Sequence, residues 1–141
     1  MPTLRAIALD PNYALAYYHR GIINLRQEDW LEAIQDFDRA IELQPDNYRA
    51  YFNSGFSYIK LHEWDKAKEK YDRGISINPN DGKAYINRSI AQSRLRNPAK
   101  AIVDLQRAKK IFEKTGDLLN LQQVEKRLKQ YQPTLVPRQL I

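Results

Sequence analysis

Apolar residues recur every three or four positions along most of the chain, which is the spacing of one face of an α-helix. The helical segments come in pairs, and the pairs are punctuated by Pro11, Pro45 and Pro79, which lie 34 residues apart. Proline cannot continue a helix, and it pushes the residue before it out of helical geometry. A fixed period of this length predicts a stack of helix–turn–helix units rather than one globular core.

Three such units predict six helices of about a dozen residues each, two in every unit. The first helix of each unit is predicted near Tyr13–Arg26, Tyr48–Leu61 and Gly82–Arg96. The second is predicted near Trp30–Leu43, Trp64–Ile77 and Pro98–Lys114. Asn97 is a suitable N-cap for the last of these helices. Pro98 then stands at the first helical position, where a missing N–H costs least.

Small and aromatic residues recur in phase with the prolines. The matched sets are Gly21, Gly55 and Ser89; Ala33, Ala67 and Ala101; Phe37, Tyr71 and Leu105; and Tyr17, Tyr51 and Tyr85. Small residues let two antiparallel helices approach closely, and aromatic rings fill the space beside them. This pattern resembles the tetratricopeptide repeat, and the Arg20-Gly21 pair resembles tetratricopeptide proteins of bacteria. The resemblance implies an all-α fold: an α-solenoid whose antiparallel helix pairs form a right-handed superhelix.

The pattern divides the chain into three tetratricopeptide units, at residues 13–47, 48–81 and 82–115. Residues 1–12 overlay the end of a second helix, which predicts that the chain begins partway through a longer array. The alternative interpretation is a short native protein whose first helix acts as a cap. The segment 116–131 predicts one more helix, whose apolar face consists of Leu118, Leu121, Val124, Leu128 and Tyr131. This segment has the profile of a C-terminal capping helix, because no second helix follows it. Residues 132–141, with two prolines, are predicted to form an extended tail.

Composition excludes several classes of protein. The 141 residues include no cysteine, which rules out disulfides and thiolate metal sites. No apolar run approaches the ~18 residues of a membrane span, and the N-terminus lacks the apolar core of a signal peptide. The sequence therefore predicts a cytoplasmic protein with no membrane contact. The net charge of +6 is moderate, and acids and bases alternate along most helices, as on an ordinary solvated surface.

Candidate catalytic chemistry is sparse. The two histidines, His19 and His62, occupy different positions of different units, and neither has a second ligand at metal spacing. The five glycines form no phosphate-binding loop, and no serine has a paired base at a recognisable spacing. The sequence predicts a protein that is not an enzyme and that uses no cofactor or metal.

One pair of positions changes its charge in step between the units. Repeat positions are counted from Ala14, Tyr48 and Gly82. The seventh is then Arg20, Ser54 and Arg88 in turn, and the twenty-third is Asp36, Lys70 and Asp104. Helix packing brings these two positions together. The pattern therefore predicts an Arg–Asp bridge in units 1 and 3 and no contact between Ser54 and Lys70. Coincidence across three units is the alternative interpretation.

In tetratricopeptide proteins a concave groove is lined by positions 2, 5, 6, 9, 12 and 13 of each first helix. The resemblance places these positions at Leu15, Tyr18, His19, Ile22, Leu25 and Arg26; at Arg49, Phe52, Asn53, Phe56, Ile59 and Lys60; and at Lys83, Ile86, Asn87, Ile90, Ser93 and Arg94. Five of these residues are Lys or Arg and none is acidic. We therefore expect a protein or peptide partner with acidic and apolar residues.

Within the predicted groove, basic residues are expected to form rows on either side of apolar ones. Arg26, Lys60 and Arg94 share position 13 and are expected to form one basic row, and Arg49 and Lys83 to line the other side. The apolar residues at positions 5 and 9 lie between these rows. Phe52 and Phe56, which belong to this apolar set, are either anchors for the peptide or half-buried packing residues.

Two features of relatives bear on the partner. The clamp that chaperone-binding members use for a C-terminal carboxylate is matched by Asn53 and Lys83, but not by Tyr18, Ile22 or Asn87. This departure argues against a chaperone-tail adaptor. Asn53 and Asn87 do resemble the asparagine ladder by which some superhelical members hold a peptide backbone.

The sequence thus predicts a protein-interaction scaffold, and two other interpretations stay open. A nucleic-acid-binding helical repeat is the first. It is disfavoured because the groove is apolar at positions 5 and 9, where base-reading repeats carry polar residues. A structural spacer, or a segment that self-associates through exposed repeat ends, is the second.

Overall fold

The computed structural model describes residues 5–7, 10 and 12–131, and the long elements in these ranges are helices. They are α1 (Ala14–Arg26), α2 (Trp30–Leu43), α3 (Tyr48–Lys60), α4 (Trp64–Ile77), α5 (Gly82–Arg94), α6 (Pro98–Thr115) and α7 (Leu118–Lys129). Every bound lies within two residues of its predicted place. The expected helix near the N-terminus is helical at residues 5–7. The rest of that segment and the predicted tail at 132–141 lie outside the described residues.

The helices pack as antiparallel pairs, so the all-α repeat fold is confirmed. α1 pairs with α2, α3 with α4 and α5 with α6; α3 also packs on α2, and α7 packs on α6. The chain divides into two compact units, one ending at Pro79 and one starting at Asn80. The first contains repeats 1 and 2, and the second contains repeat 3 and α7.

Close helix contacts explain the recurrent small residues. A Cβ placed on Gly21 would lie 2.6 Å from the ring of Phe37, and one placed on Gly55 would lie 2.7 Å from the ring of Tyr71. Both rings are almost completely buried, with 0% and 1% of their surface exposed. The rings therefore have no room to move aside, and a side chain at either glycine would separate the paired helices.

The turn between the two helices has the same backbone in all three repeats. Glu28, His62 and Arg96 adopt the left-handed conformation, with φ of 62°, 60° and 64°. In repeat 1 the next amide, from Asp29, donates to the carbonyl of Asn24 at 2.9 Å, which is the bond of a Schellman motif. The equivalent bonds in the other two repeats measure 3.0 and 2.8 Å.

Proline ends the second helices of repeats 1 and 2 as predicted. Gln44 and Asn78, which precede Pro45 and Pro79, have φ of −143° and −128°. Both values lie outside the helical range, as expected for a residue before proline.

The start of α6 is partly as predicted. Asn97 occupies the N-cap position and Pro98 is the first helical residue. The Asn97 side chain accepts no capping bond from the helix, however, and its Nδ2 donates to Gln92 Oε1 at 3.4 Å. Side chains do cap three other helices, each by accepting a backbone N–H bond, and these are Asn47, Asp81 and Asp117.

The terminal helix α7 covers the end of repeat 3 with only part of its apolar face. Val124 is completely buried, and the neighbouring Leu121 and Leu128 are half-buried. Leu118, expected on the same face, is 69% exposed because it lies at the first turn, and Leu119 beside it is 78% exposed.

Candidate interaction surfaces

The first helices of the three repeats share a charge bias that extends over their whole length. None of α1, α3 and α5 contains an Asp or a Glu, whereas the three second helices all do. The bases of the first helices number seven: Arg20, Arg26, Arg49, Lys60, Lys83, Arg88 and Arg94. A surface built from α1 and α3 is therefore positive unless the second helices neutralise it, and the same holds for the surface of α5 taken by itself.

Two of the seven bases are neutralised within their own repeat. Arg20 donates to both carboxylate oxygens of Asp36, from Nε at 2.9 Å and from Nη2 at 2.7 Å. Arg88 binds Asp104 in the same way, with Nη2 at 2.8 Å and Nε at 3.1 Å. Both aspartates are 4% exposed, and the hydrogen bond to Asp36 raises the pKa of Arg20. The predicted bridges of repeats 1 and 3 are confirmed.

Repeat 2 has no such bridge, because Ser54 and Lys70 are not hydrogen-bonded to each other, as predicted. Ser54 is completely buried, and its Oγ has no hydrogen-bond partner within the described residues. Lys70 turns to the preceding repeat, where its Nζ lies 3.1 Å from Asp38 Oδ1. The ion pair of repeat 2 therefore joins two repeats instead of two helices of one repeat.

Tyr18 and Asn53 connect the neighbouring first helices α1 and α3. Asn53 Nδ2 donates to Tyr18 Oη at 3.3 Å. Burial raises the pKa of the Tyr18 phenol, and the charge of Arg49 and the bond from Asn53 offset part of this effect. The phenol thus stays neutral at physiological pH. Both side chains are half-buried, so the pair lies at the surface shared by α1 and α3.

Phe52 and Phe56 pack within the fold and are only half-buried. Phe52 stacks on Tyr71 with 5.9 Å between ring centroids, and its ring lies where a Cβ on Gly74 would meet it at 2.4 Å. Phe56 meets Trp30 edge-on at 6.0 Å. These contacts support the packing interpretation of the two rings, whose remaining surface is still open to a ligand.

Basic side chains border these rings. The Arg49 guanidinium lies 5.3 Å above the ring of Tyr48, and Lys60 Nζ lies 5.3 Å above the ring of Phe56. Such cation–π contacts hold the charged groups over apolar surface. The other predicted members of this face, Arg26 and His19, are exposed, and Ile22 is half-buried.

The predicted groove residues of repeat 3 differ in their exposure to solvent. Lys83 and Arg94 are exposed, and Asn87 and Ile90 are half-buried. Ile86 is only 4% exposed, which leaves it almost no surface for a ligand. We therefore regard Ile86 as a core residue.

A cavity of about 250 Å³ lies between repeat 3 and α7. It is lined by Ser89, Ile90, Ser93, Arg94, Leu105, Arg127, Gln130 and Tyr131. Arg127 Nε is buried there and has no hydrogen-bond partner among residues 12–131. The sequence did not indicate Arg127, because it lies on a helix whose surface carries several other bases.

Two features that the described residues lack bear on other kinds of function. No three His, Asp or Glu side chains in this part of the chain are grouped so that they could hold a metal ion. No described helix combines the length and the apolar character that crossing a membrane requires.

Antiparallel helix pairs with a 34-residue period, bearing a charge-biased surface on their first helices, define a helical-repeat protein. Family models of the tetratricopeptide repeat match residues 14–47 and 48–81. The chain belongs to the tetratricopeptide repeat family.

Solved structures of the family are similar to this chain. Two crystal structures of MamA are each 30% identical to it, with TM-scores of 0.77 and 0.74, and each match covers 82% of this chain. This chain spans 67% and 63% of those two MamA chains. The TPR2B domain of yeast Sti1, in its pHsp70 complex, is 22% identical over 83% of this chain and 96% of that chain, with a TM-score of 0.75. No curated protein sequence matches significantly.

Proposed function

We propose that this protein is a non-catalytic interaction module that binds a peptide segment of a partner protein on the first helices of its repeats. The segment carries acidic residues beside apolar ones. The observation that supports this proposal is the charge of the first helices, which have seven bases and no acid. Asp36 and Asp104 neutralise two of these bases, Arg20 and Arg88. The proposal rests on four exposed ones, which are Arg26, Arg49, Lys60 and Lys83.

In repeats 1 and 2 the proposed surface joins three kinds of group. Arg26, Arg49 and Lys60 supply positive charge, which mainly raises the rate of association with an acidic segment. The open faces of Phe52 and Phe56 supply apolar contact, which slows dissociation. Each exposed charge should contribute about 0.2–1 kcal/mol, and a truncated apolar anchor about 2 kcal/mol.

Asn53 would bond to the peptide backbone in this proposal. Its amide already donates to Tyr18 at 3.3 Å, which holds the side chain in one orientation before a ligand arrives. A group that is held in place loses less conformational entropy on binding. Asn87 has the equivalent position in repeat 3 and the same proposed role.

Relatives support the proposed class of function but not its details. The Sti1 domain shares the fold and was solved in a pHsp70 complex, so this architecture can hold a protein ligand. Here, Tyr18, Ile22 and Asn87 replace the residues that the carboxylate clamp requires. We therefore propose an internal acidic segment rather than a chaperone tail as the ligand.

The test begins with an unbiased selection of peptides from a random displayed library on the immobilised full chain. Selected peptides should be rich in acidic and apolar residues. Replacing both Arg26→Glu and Lys60→Glu should weaken their binding about tenfold, because reversal turns attraction into repulsion. The control is Arg73→Glu with Lys126→Glu, which reverses two exposed bases on α4 and α7. Circular dichroism confirms that each variant is folded.

Three outcomes would contradict the proposal: selected peptides without acids, equal effects of both double variants, or no change in affinity. Tight binding of single-stranded RNA, with a steep salt dependence, would instead favour the nucleic-acid alternative. Self-association is followed by sedimentation of the same samples. If it occurs through the end formed by α7, replacing the exposed Leu118 and Leu119 with Ser should abolish it.

A further inference from the structure

The second helix of repeat 3 has an exposed basic face that the proposed peptide-binding surface does not use. Residues 80–131 contain twelve Lys or Arg and five Asp or Glu, whereas residues 1–79 contain ten and twelve. Much of this excess lies on one side of α6. The α6 stripe, as we name it, consists of Lys100, Val103, Arg107, Lys110 and Lys114, which are all exposed.

The spacing of the α6 stripe makes it one continuous surface. Its members follow at intervals of three and four residues, so they lie on one side of the helix over about 21 Å. The residues that pack the helix into repeat 3, which include Ala101, Leu105 and Ala108, are buried on the other side. Packing therefore does not account for the stripe.

The same positions in the other repeats show that the charge is particular to repeat 3. They are Glu32, Gln35, Arg39, Glu42 and Asp46 in repeat 1, and Lys66, Glu69, Arg73, Ser76 and Asn80 in repeat 2. The formal charge of these five positions is thus −2 in repeat 1, +1 in repeat 2 and +4 in repeat 3. In repeats 1 and 2 some of these bases have an acidic neighbour, as Arg39 Nη1 has Glu42 at 2.9 Å. No ion pair joins any of the four bases of the α6 stripe to another described residue.

This arrangement is unfavourable within the isolated helix. Arg107, Lys110 and Lys114 are like charges three and four residues apart, which repel one another. Lys114 benefits from the negative end of the helix dipole, but Lys100 lies in the first turn, where the dipole opposes a base. An acidic ligand would remove this repulsion.

We propose that the α6 stripe is a second docking surface, separate from the first helices, for an acidic protein segment that carries an apolar side chain. Val103 is 61% exposed in the middle of the bases. Together with Gln106, Arg107, Lys109, Lys110 and Glu113, it lines an open depression of about 540 Å³. An apolar side chain seated against Val103 would place flanking carboxylates beside Arg107 and Lys110.

Two observations favour a protein segment over a nucleic acid. The stripe contains no aromatic side chain on which bases could stack, and stacking is the usual means of holding single strands. Glu113 at the edge of the depression would also repel a phosphate backbone. An acidic protein segment can place an uncharged residue there.

The test uses defined probes and the full chain. The first probe is a peptide of about 20 residues with Glu at helical spacing around one Leu, a length that matches the stripe. The second is the same peptide with Ser in place of Leu. The third is a duplex DNA or single-stranded RNA oligonucleotide of similar length. Affinities come from fluorescence anisotropy, and amide chemical shifts of the isotope-labelled protein locate each binding site.

The Leu peptide should shift amides of α6, and Arg107→Glu with Lys110→Glu should weaken that binding about tenfold. The matched control, Lys66→Glu with Arg73→Glu, reverses the two exposed bases on the equivalent face of α4 and should alter the affinity less than about twofold. Val103→Ser should weaken the Leu peptide and leave the Ser peptide unchanged.

Shifts confined to α1, α3 and α5 would overturn this inference while supporting the proposed function. Equal effects of the two double variants would overturn it as well. If an oligonucleotide binds α6 more tightly than the Leu peptide does, the proposal that the ligand is a protein segment is wrong.

Discussion

Repeats 1 and 2 share the backbone of their turn and pack an aromatic ring against a glycine, Phe37 on Gly21 and Tyr71 on Gly55, but they place their charges differently. Repeat 1 joins its own two helices by the bidentate bridge between Arg20 and Asp36, to which Asn24 Nδ2 also donates at 3.0 Å. Repeat 2 has Ser54 in place of the arginine and sends Lys70 to Asp38 of repeat 1. The first arrangement fixes one helix pair, and the second connects one pair to the next.

The difference shows that a repeat fold does not need its internal bridge. The contacts of Gly55 with Tyr71 hold α3 against α4 without charge. In a stack of repeats, stability is the sum of terms within repeats and terms between neighbours. In repeat 1 the electrostatic contact lies within the repeat, whereas in repeat 2 it lies between neighbouring repeats. Three substitutions test this interpretation, and they are given from the largest expected effect to the smallest.

Asp36→Ala should cause the largest loss. It leaves the Arg20 guanidinium and the Asn24 amide without their acceptor in a half-buried site, and we expect about 2–4 kcal/mol of lost unfolding free energy. Urea denaturation followed by circular dichroism measures it. Asp104→Ala is the matched change in repeat 3, and a loss under about 0.5 kcal/mol in both variants would show that the bridges are not structural.

Ser54→Ala should have a moderate effect of opposite sign. The substitution removes a buried hydroxyl that has no hydrogen-bond partner within the described chain, so we expect stabilisation by about 1 kcal/mol. The same urea titration applies, with Ser57→Ala as the control, because Ser57 Oγ donates to the Asn53 carbonyl at 2.9 Å. If both variants lose stability equally, Ser54 has a partner that this conformation does not show.

Lys70→Ala should have the smallest effect on total stability, about 0.2–1 kcal/mol, because the ion pair with Asp38 is partly exposed. Its specific consequence should be weaker coupling between repeats 1 and 2. Hydrogen exchange should then show α3 and α4 opening more often than α1 and α2. The double variant with Asp38→Ala tests additivity, and fully additive losses would mean that the pair contributes no coupling energy.

Much of the fold was predictable because two local rules repeat three times. Proline before each new unit and small residues at the helix contacts placed every described helix within two residues of its observed bounds. The bridges were predictable because Arg20 and Asp36 change together with their equivalents in the other repeats. A correlated change of this kind reports a contact without any structure.

Other features left no signal in the sequence. Glu28, His62 and Arg96 occupy a left-handed position that usually selects glycine, and their types differ too much to form a pattern. The burial of Ile86 was missed because its position in the repeat predicts a surface residue. The redirected contact of Lys70 depends on a neighbouring helix pair, which periodicity within one repeat does not describe.

The left-handed turns are also suitable places for a dye that monitors the unfolding of each repeat. Glu28, His62 and Arg96 are exposed, share one backbone geometry and lie one repeat apart. The 141 residues include no cysteine, so a single cysteine at any of these positions would be the sole site for a thiol-reactive dye in this chain. Three such proteins would carry one probe at equivalent backbone positions, and the change in each signal on unfolding would report the opening of one repeat.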